Sequence, residues 1–424
     1  MIGKYTKRKI IHCNLIGLYT ASAFNPGAAI VLHAPRSCSH IIAGALPAMR
    51  ERYLKSGRVL SYESDNLYVT GLSDNEAIFG GEKKLEECLR DIAEVCRPSY
   101  IMVAGGCVAG VIGDDIGSVC KKVEAETGIP ILHTEGSGFM NDEENDPYIV
   151  TTKLLIEKFS SLKRSEERDK TVVILGELAV NNNRFVTECI HKLFAYFGFT
   201  NVLFPLAGME ISDFYLLNRA TLAIGGKGQL NKKREIHAYT RFFAEKLGIP
   251  YNLDELPETP AEVYAYLKHT GGLLGKPALA EKAVEQEKAL MQSVIEECKP
   301  VFCNKTCIVS FIFSYAYAKP ESLIELIESA DLQISGFVFM PEMPDVERKK
   351  YLKALGKYEK PVFTEAEYLN RETSEDFVIT AVEKPYFAKQ FIMTKRHIGA
   401  KGICDFWKQV KRFLELDRRM FYEE

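Results

Sequence analysis

The sequence predicts an α/β protein of three Rossmann-like domains, in which parallel sheets are flanked by helices. Apolar runs of strand length alternate with amphipathic runs of helix length along the whole chain, as in βαβ units with parallel strands. With 424 residues, of which 46% are hydrophobic, the chain can bury the cores of two or three domains. The sequence Gly-Ile-Pro also joins a helix to a strand twice, at 128–130 and at 248–250.

The first round of this pattern is the clearest. After an early strand in the sequence AAIVLHAP, an amphipathic helix at 83–97 leads into an apolar strand at 99–106. A loop that holds Cys107 follows, then a helix from Gly113 to Thr127 and a strand at 129–134. Glycine ends such a helix in the left-handed conformation, and proline can begin the next strand because its missing N–H is not needed there.

The same alternation recurs twice more. In the second round, strands are predicted at 171–177, 201–208, 220–226 and 249–254, with helices at 183–197 and 232–247. In the third round, strands at 306–313, 334–341 and 360–365 alternate with helices at 320–330 and 346–355. Each round has the length and pattern of one Rossmann-like domain.

Changes in composition place the domain boundaries. A charged run at 163–170 indicates a linker, and a long helical stretch at 278–297 connects the second round to the third. The predicted domains are therefore 1–165, which carries the candidate ligand cysteines, 166–295, and 296–424, which ends in a helix.

Composition excludes several classes of function. The chain has 54 basic and 57 acidic residues and a net charge of -3, which gives no electrostatic basis for binding nucleic acid. No stretch approaches the roughly 20 apolar residues of a membrane span, and the basic N-terminus lacks the pattern of a signal peptide. We therefore expect a cytoplasmic protein without nucleic-acid or membrane partners. Its eleven cysteines are not expected to form a disulfide framework, since a reducing compartment keeps thiols free.

Three of these cysteines, Cys13, Cys38 and Cys107, lie among turn-forming residues. Cys38 and Cys107 each follow a predicted strand, and the carboxyl ends of parallel strands are where open α/β sheets bind ligands. Loop cysteines that project toward one point are typical iron–sulfur ligands, although burial is the alternative explanation for any thiol in a reduced protein. Three ligands also fall short of the four that a cubane needs, so the missing ligands should come from another subunit.

The residues around these cysteines extend the pattern. Cys13 is followed by His33-Ala34-Pro35-Arg36-Ser37-Cys38-Ser39-His40, then by the segment TGLSDNEAIFGGEKKL at 70–85, and then by GCVAGVIGDD at 106–115. This four-part order resembles the nitrogenase component 1 family. That family includes the subunits of the molybdenum-iron protein, cofactor-assembly scaffolds, the dark-operative protochlorophyllide and chlorophyllide reductases, and the tetrapyrrole reductase of coenzyme F430 synthesis. The resemblance covers roughly the first 140 residues, and the rest matches in architecture only.

The resemblance implies a specific cofactor and specific partners. Cys13, Cys38 and Cys107 would be metal ligands for an iron–sulfur cluster, either a 4Fe-4S cubane or a P-cluster-like 8Fe-7S centre, shared with an identical or homologous component 1 subunit in a dimer or heterotetramer. Gly106, beside Cys107, would border this cofactor. Electrons would come from a separate ATP-dependent iron–sulfur reductase of the nitrogenase iron protein type. The chain itself has no Gly-x-x-x-x-Gly-Lys-Ser/Thr phosphate-binding loop and should not bind ATP.

One departure from the family pattern limits what the chain can hold. Nitrogenase catalytic subunits anchor a large cofactor through a Cys after a middle-domain strand and a His in the last domain. Here the corresponding strand runs into Gly225, Gly226 and Lys227 without a Cys, and His397 matches the second position only loosely. The glycines and Lys227 could border an anionic cofactor pocket or form an ordinary loop. The chain is therefore predicted to be a non-catalytic partner subunit, a tetrapyrrole reductase-like subunit, or a relative with another substrate.

Two functions of different class follow. The first is an oxidoreductase subunit that relays low-potential electrons from the ATP-dependent reductase to a substrate pocket. The second is a scaffold that supports metallocofactor assembly without turnover of its own. The complete set of three cysteines favours electron relay. The sequence assigns no catalytic residue and no substrate, since the pocket loops carry no recognisable motif.

Overall fold

The computed structural model describes residues 14–23, 25–40, 42–44, 66–134, 147–167, 170–177, 184–206, 209–226, 233–311, 319–341, 343, 345–393, 395–416 and 420–421. Three sheets are present in these ranges, and helices alternate with their strands. The predicted fold class, α/β with parallel sheets flanked by helices, is confirmed.

The chain divides into two compact units, which are described separately. Unit 1 comprises 1–180 and 203–253, and unit 2 comprises 181–202 and 254–424. The division into three domains at 165/166 and 295/296 stays a prediction.

The first sheet of unit 1 has the strand order β2-β1-β3-β4, and all its pairings are parallel. The strands are β1 (Ala28–His33), β2 (Leu67–Val69), β3 (Tyr100–Gly105) and β4 (Ile131–Thr134). Its helices are α1 (Asn14–Ser22), α2 (36–40), α3 (Asp74–Phe79), α4 (Glu82–Val95), α5 (Cys107–Ile112), α6 (Ile116–Thr127) and α7 (Pro147–Phe159).

The second sheet has the order β6-β5-β7-β8, with β5–β7 and β7–β8 parallel. Its elements are β5 (Thr171–Leu175), β6 (Asn201–Leu203) at the boundary between the units, a 3₁₀ helix (Ile211–Arg219), β7 (Leu222–Gly225), α9 (Lys233–Leu247) and β8 (Tyr251–Asn252). Helix α8 (Arg184–Ala195), which follows β5 along the chain, belongs to unit 2.

Unit 2 contains a six-stranded sheet of order β11-β10-β9-β12-β13-β14, in which every pairing is parallel. The strands are β9 (Thr306–Phe311), β10 (Gln333–Phe339), β11 (Val362–Thr364), β12 (Phe377–Thr380), β13 (Gln390–Ile392) and β14 (Met420–Phe421). The helices are α10 (Pro260–Leu273), α11 (Pro277–Phe302), α12 (Pro320–Glu328), α13 (Asp345–Leu355), α14 (Glu365–Leu369) and α15 (Gly399–Leu416).

Local sequence explains the elements that surround the first sheet. In α4 the buried residues Leu85, Leu89 and Ile92 recur at helical spacing and form one apolar stripe. Helix α6 begins where the Asp115 side chain accepts a hydrogen bond from the Ser118 N–H, as an N-cap residue does. It ends at Gly128, which has φ of 71°.

The hydrophobic core of unit 1 lies on both faces of the first sheet. One cluster joins this sheet to α1, α7 and the second sheet, and the other joins it to α4, α5 and α6. Strands β1 and β3 are buried along their whole length, and each large aliphatic side chain removed from water contributes about 1.5–3 kcal/mol. The carboxyl ends of β1 and β3 are thus supported by a rigid core. No helix in the described ranges is long and apolar enough to cross a membrane.

Candidate functional site

The carboxyl ends of β1 and β3 bring the segments of Cys38 and Cys107 to one edge of the first sheet. The strands are neighbours in register, with His33 paired to Gly105. Beyond the last pair, the Gly106 N–H donates to the His33 carbonyl oxygen at 2.9 Å. The predicted placement of both cysteines after neighbouring parallel strands is therefore what the structure has.

The local structure at these cysteines differs from the predicted loops. Cys107 is the first residue of α5, and Cys38 lies within α2. The helix predicted from Gly113 to Thr127 is α6, which begins three residues later, at Ile116. The segment predicted as a loop holds a separate helix, α5, which ends at Gly113 with φ of 78°. Small residues on both sides of Cys107 had suggested a loop, but in this structure they permit a short helix that packs closely.

Exposure separates these two thiols from most others. Cys38 and Cys107 are partly exposed, whereas five other described cysteines are buried: Cys120, Cys189, Cys298, Cys307 and Cys404. Burial raises the pKa of each of these five thiols, in three cases to about 12, so they stay protonated and are poor ligands. Cys96 and Cys303 are exposed but lie outside the segments 33–40 and 106–115.

Two predicted site residues, Cys13 and Lys227, lie outside the described residues. Among the residues that the structure does describe, no three His, Cys, Asp or Glu side chains are grouped as a metal site. Cys38 and Cys107 are thus the two predicted ligands whose positions the structure gives, and their role as ligands stays a prediction.

Gly106 has a packing role that the sequence did not reveal. A Cβ atom at this position would lie 2.7 Å from the Ala34 Cβ and 3.3 Å from the His33 carbonyl oxygen. Only glycine allows the segment that leads to Cys107 to approach the segment that leads to Cys38 so closely. Its predicted role in bordering a cofactor remains a prediction.

A buried polar network lies behind the two cysteine segments. The His33 Nε2 and the Asp114 Oδ2 are 2.8 Å apart, with side chains 0% and 3% exposed. The second carboxylate oxygen of Asp114 accepts the Gly81 N–H at 2.9 Å. On the other side of the ring, the His33 Nδ1 and the Thr70 Oγ1 are 3.1 Å apart, and the Ala34 N–H donates to this hydroxyl.

The network fixes the protonation of the His33 ring. Its Nε2 faces a carboxylate oxygen and must carry the proton, so Nδ1 accepts from the Thr70 hydroxyl. Burial lowers the pKa of His33, and the neighbouring Asp114 opposes that shift. His33 is therefore a neutral imidazole held between two hydrogen bonds.

The structure shows which partners His33 and Asp114 have. Asp115 caps α6, whereas the neighbouring Asp114 does not. Asp114 instead pairs with His33, which is distant in sequence. The motif segments at 33–38, 70–85 and 106–115 are thus joined through side chains as well as through the sheet.

An exposed apolar surface lies next to this network. The side chains of Ile78 and Phe79 in α3 and Val111 in α5 are 72%, 84% and 80% exposed. Helices α3 and α5 contact each other, and α5 begins at Cys107. We refer to Ile78, Phe79 and Val111 as the apolar patch; exposed apolar patches are a feature of protein interaction sites.

Gly225 and Gly226 end β7 in the second sheet. A Cβ on Gly226 would lie 2.7 Å from the Leu175 carbonyl oxygen and 3.0 Å from the Glu177 Cγ, and one on Gly225 would lie 3.0 Å from the Leu253 side chain. Close packing against the end of β5 therefore explains Gly226, and Gly225 packs closely against Leu253 and two side chains of α9. Their predicted role in cofactor binding, with Lys227, stays a prediction.

Replacing Gly226 by alanine is expected to destabilise unit 1 by roughly 1–3 kcal/mol, as overpacking of a tight site does. Urea unfolding of the native and variant chains measures the loss. Gly272→Ala is the matched control, because this glycine lies on α10 with no atom within 4 Å of an added Cβ. Alanine there should stabilise the helix, by at most about 1 kcal/mol. Equal unfolding midpoints for Gly226→Ala and the native chain would contradict the packing explanation.

His397, the loosely matched histidine of the last domain, is part of the core of unit 2. Its Nδ1 donates to the Gly402 carbonyl oxygen at 3.2 Å, and its ring packs against Phe406. Burial lowers its pKa to about 3, so the ring stays neutral. The neighbouring Arg396 pairs with Glu258 at 2.8 Å. These contacts give the segment a structural role.

Comparison with known proteins decides the family. A family model described as "Nitrogenase component 1 type Oxidoreductase" matches residues 13–400. The chain belongs to this family. The match extends through both compact units, beyond the 140 residues that carry the sequence resemblance, and the predicted family membership is confirmed.

Individual relatives of this nitrogenase component 1 family member include different types of protein. The chain is 26% identical over 275 residues to a nitrogenase molybdenum-iron protein alpha chain of Methanococcus maripaludis, covering 63% of this chain and 55% of the relative. It is 22% identical over 343 residues to the nitrogenase iron-molybdenum cofactor biosynthesis protein NifE of Bradyrhizobium diazoefficiens, covering 77% and 59%. The chain thus spans little more than half the length of these curated relatives.

A solved structure shares the fold. A chain of the structure titled "Nitrogenase Cp1 at pH 5" matches with a TM-score of 0.64 and 16% identity, over 97% of this chain and 90% of that one. The chain therefore has the component 1 fold. The description of the matching family model names a type of oxidoreductase.

Proposed function

We propose that this chain is a cytoplasmic oxidoreductase subunit that holds an iron–sulfur cluster at an interface with an identical or related chain. The observation that carries the proposal is the placement of Cys38 and Cys107 after neighbouring strands of one sheet, both partly exposed. Cys13 would be the third ligand of this chain.

The chemistry of the donor set fits such a group. Thiolates are the ligands that iron–sulfur clusters use, and a cubane takes four of them. Three cysteines from this chain leave the set incomplete, so a second chain would complete a 4Fe-4S cluster or share an 8Fe-7S centre. When bound, the cluster would supply one-electron transfer at low potential.

The apolar patch supports a second partner, an ATP-dependent iron–sulfur reductase. Three exposed side chains form too small a surface for a permanent subunit interface, but they suit a transient electron-transfer complex, which buries little area. The patch includes Val111 on the helix that begins at Cys107. A donor that docks there would approach the cysteine segments closely.

The alternative function is a scaffold for metallocofactor assembly, and two observations support it. One of the relatives is named as a cofactor biosynthesis protein. In addition, the end of β7 carries Gly225 and Gly226 where catalytic subunits of the resembling family have a cofactor-ligating Cys. A scaffold would release its bound metal to an acceptor, and an enzyme subunit would retain it.

Transfer of radioactive iron separates the two functions. The anaerobically purified protein is loaded with labelled iron and sulfide and then mixed with an excess of an apo-acceptor that binds iron–sulfur clusters. Electron relay predicts that the label stays with this chain while the reduced cluster is re-oxidised by an added electron acceptor. Movement of most of the label to the apo-acceptor would overturn relay and establish the scaffold function.

A further inference from the structure

Asp114 connects three separate segments of unit 1. Its Oδ2 accepts from the His33 Nε2 at 2.8 Å, and its Oδ1 accepts from the Gly81 N–H at 2.9 Å. His33 ends β1 and precedes the segment of Cys38, and Asp114 itself follows the helix that begins at Cys107. Gly81 lies two residues after the end of α3, which carries two residues of the apolar patch.

The hydrogen bonds between Asp114, His33 and Gly81 lie in closely packed surroundings. A Cβ on Gly81 would lie 2.8 Å from the Asp114 Oδ2, 2.9 Å from the His33 Cε1 and 2.6 Å from the Leu72 side chain. Both members of the pair are almost completely buried. A charge-assisted hydrogen bond in such surroundings has a well-defined geometry and is stronger than one in water.

The remaining contacts of His33 extend the same connection. The Thr70 hydroxyl bridges the His33 ring and the Ala34 N–H, and the Gly106 N–H binds the His33 carbonyl oxygen. The segment before Cys38 and the segment around Cys107 are therefore both held by His33, through its side chain and through its backbone.

We propose that His33 and Asp114 form a positioning pair that fixes the Cys38 and Cys107 segments relative to each other and thereby sets the geometry of the cluster that these cysteines bind. This inference rests on the proposed function. The pair itself does not contact the metal; it acts through the two segments that carry the thiolates, as residues outside the ligand set do in other metal sites.

Asp114→Asn tests the pair because it keeps the size of the side chain and the acceptor for the Gly81 N–H but removes the charge that faces His33. We expect the affinity for iron to fall roughly 10- to 100-fold, the usual effect of losing a partner outside the ligand set. In the fraction that still binds a cluster, the EPR line shape should broaden. His33→Gln should have the same effect, and the double variant should be no worse than either single one.

Two controls isolate positioning from stability. The chain has a second His–Asp pair, His269 and Asp254, whose side chains are about half exposed, so Asp254→Asn should leave iron affinity and EPR unchanged. Val123→Ala weakens the core of the same unit, where Val123 is fully buried, but it should not alter the EPR line shape of bound cluster.

If Asp114→Asn fails to fold, a second pair of variants tests the positioning role of His33. Thr70→Val keeps the shape of the residue but removes the hydroxyl that binds His33, and Thr70→Ser restores it. Weak iron binding and a broadened signal in the valine variant, with recovery in the serine variant, would support positioning. Native iron affinity and line shape in the folded His33, Asp114 or Thr70 variants would overturn it. Absence of iron from the native chain would instead overturn the proposed function.

Discussion

The variant Cys107→Ala is expected to lose its iron–sulfur cluster when the protein is purified without oxygen. A 4Fe-4S cubane is held by four thiolates, so the loss of Cys107 would leave one iron without its protein ligand. Cys107 is partly exposed just beyond the buried strand β3. Cys38→Ala and Cys13→Ala should give the same result. Iron and sulfide content and the EPR spectrum of the reduced protein measure the loss.

Cys96→Ala is the matched control for these variants. Cys96 is also an exposed free thiol of unit 1, but it lies at the end of α4 and contacts Tyr68. Its replacement should leave the cluster intact. If Cys107→Ala retained native iron and an unchanged spectrum, the assignment of ligands would be wrong even if the native chain does bind a cluster.

The second large effect is expected from Phe79→Lys. Phe79 is 84% exposed on the apolar patch, so lysine is tolerated by the fold but places a charge where an apolar contact with the reductase is proposed. Central apolar contacts of an interface contribute at least about 2 kcal/mol, or roughly 30-fold in affinity. The rate of ATP-dependent cluster reduction, measured at limiting reductase, should fall by at least that factor.

Val95→Lys is the control for this experiment, since Val95 is 81% exposed at the opposite end of α4 from Gly81. The reductase should reduce the cluster of the Val95→Lys variant as fast as that of the native protein. Reduction by dithionite, which needs no docking, should be unchanged in both variants. Equal reductase-driven rates for Phe79→Lys and Val95→Lys would show that the donor binds elsewhere.

Most of the fold could be predicted because its signals are local. Helix α4 has a strict apolar stripe, and Gly128 and Gly248 both adopt positive φ at the repeated helix–strand joint. The strands β2, β12, β13 and β14 were not predicted. They depend on pairing with neighbouring strands, which is a tertiary feature that a local sequence pattern does not indicate.

The candidate site was predictable in part. Turn-forming residues after strands indicated Cys38 and Cys107, since the position after a parallel strand is a local feature. The pairing of His33 with Asp114 was not, because it depends on which strands are neighbours and on their register. The exposure of Phe79 was not predictable from the sequence either, because an apolar residue in an amphipathic segment is normally buried in the core.

The measurement that tests the central claim most directly is native mass spectrometry of the protein purified without oxygen. We expect a species of at least two chains to carry the iron and sulfide, and the separated monomer to have lost the cluster. A monomer that carries a complete cluster, or an assembly without iron, would contradict the proposal that Cys13, Cys38 and Cys107 supply one part of a site shared between chains.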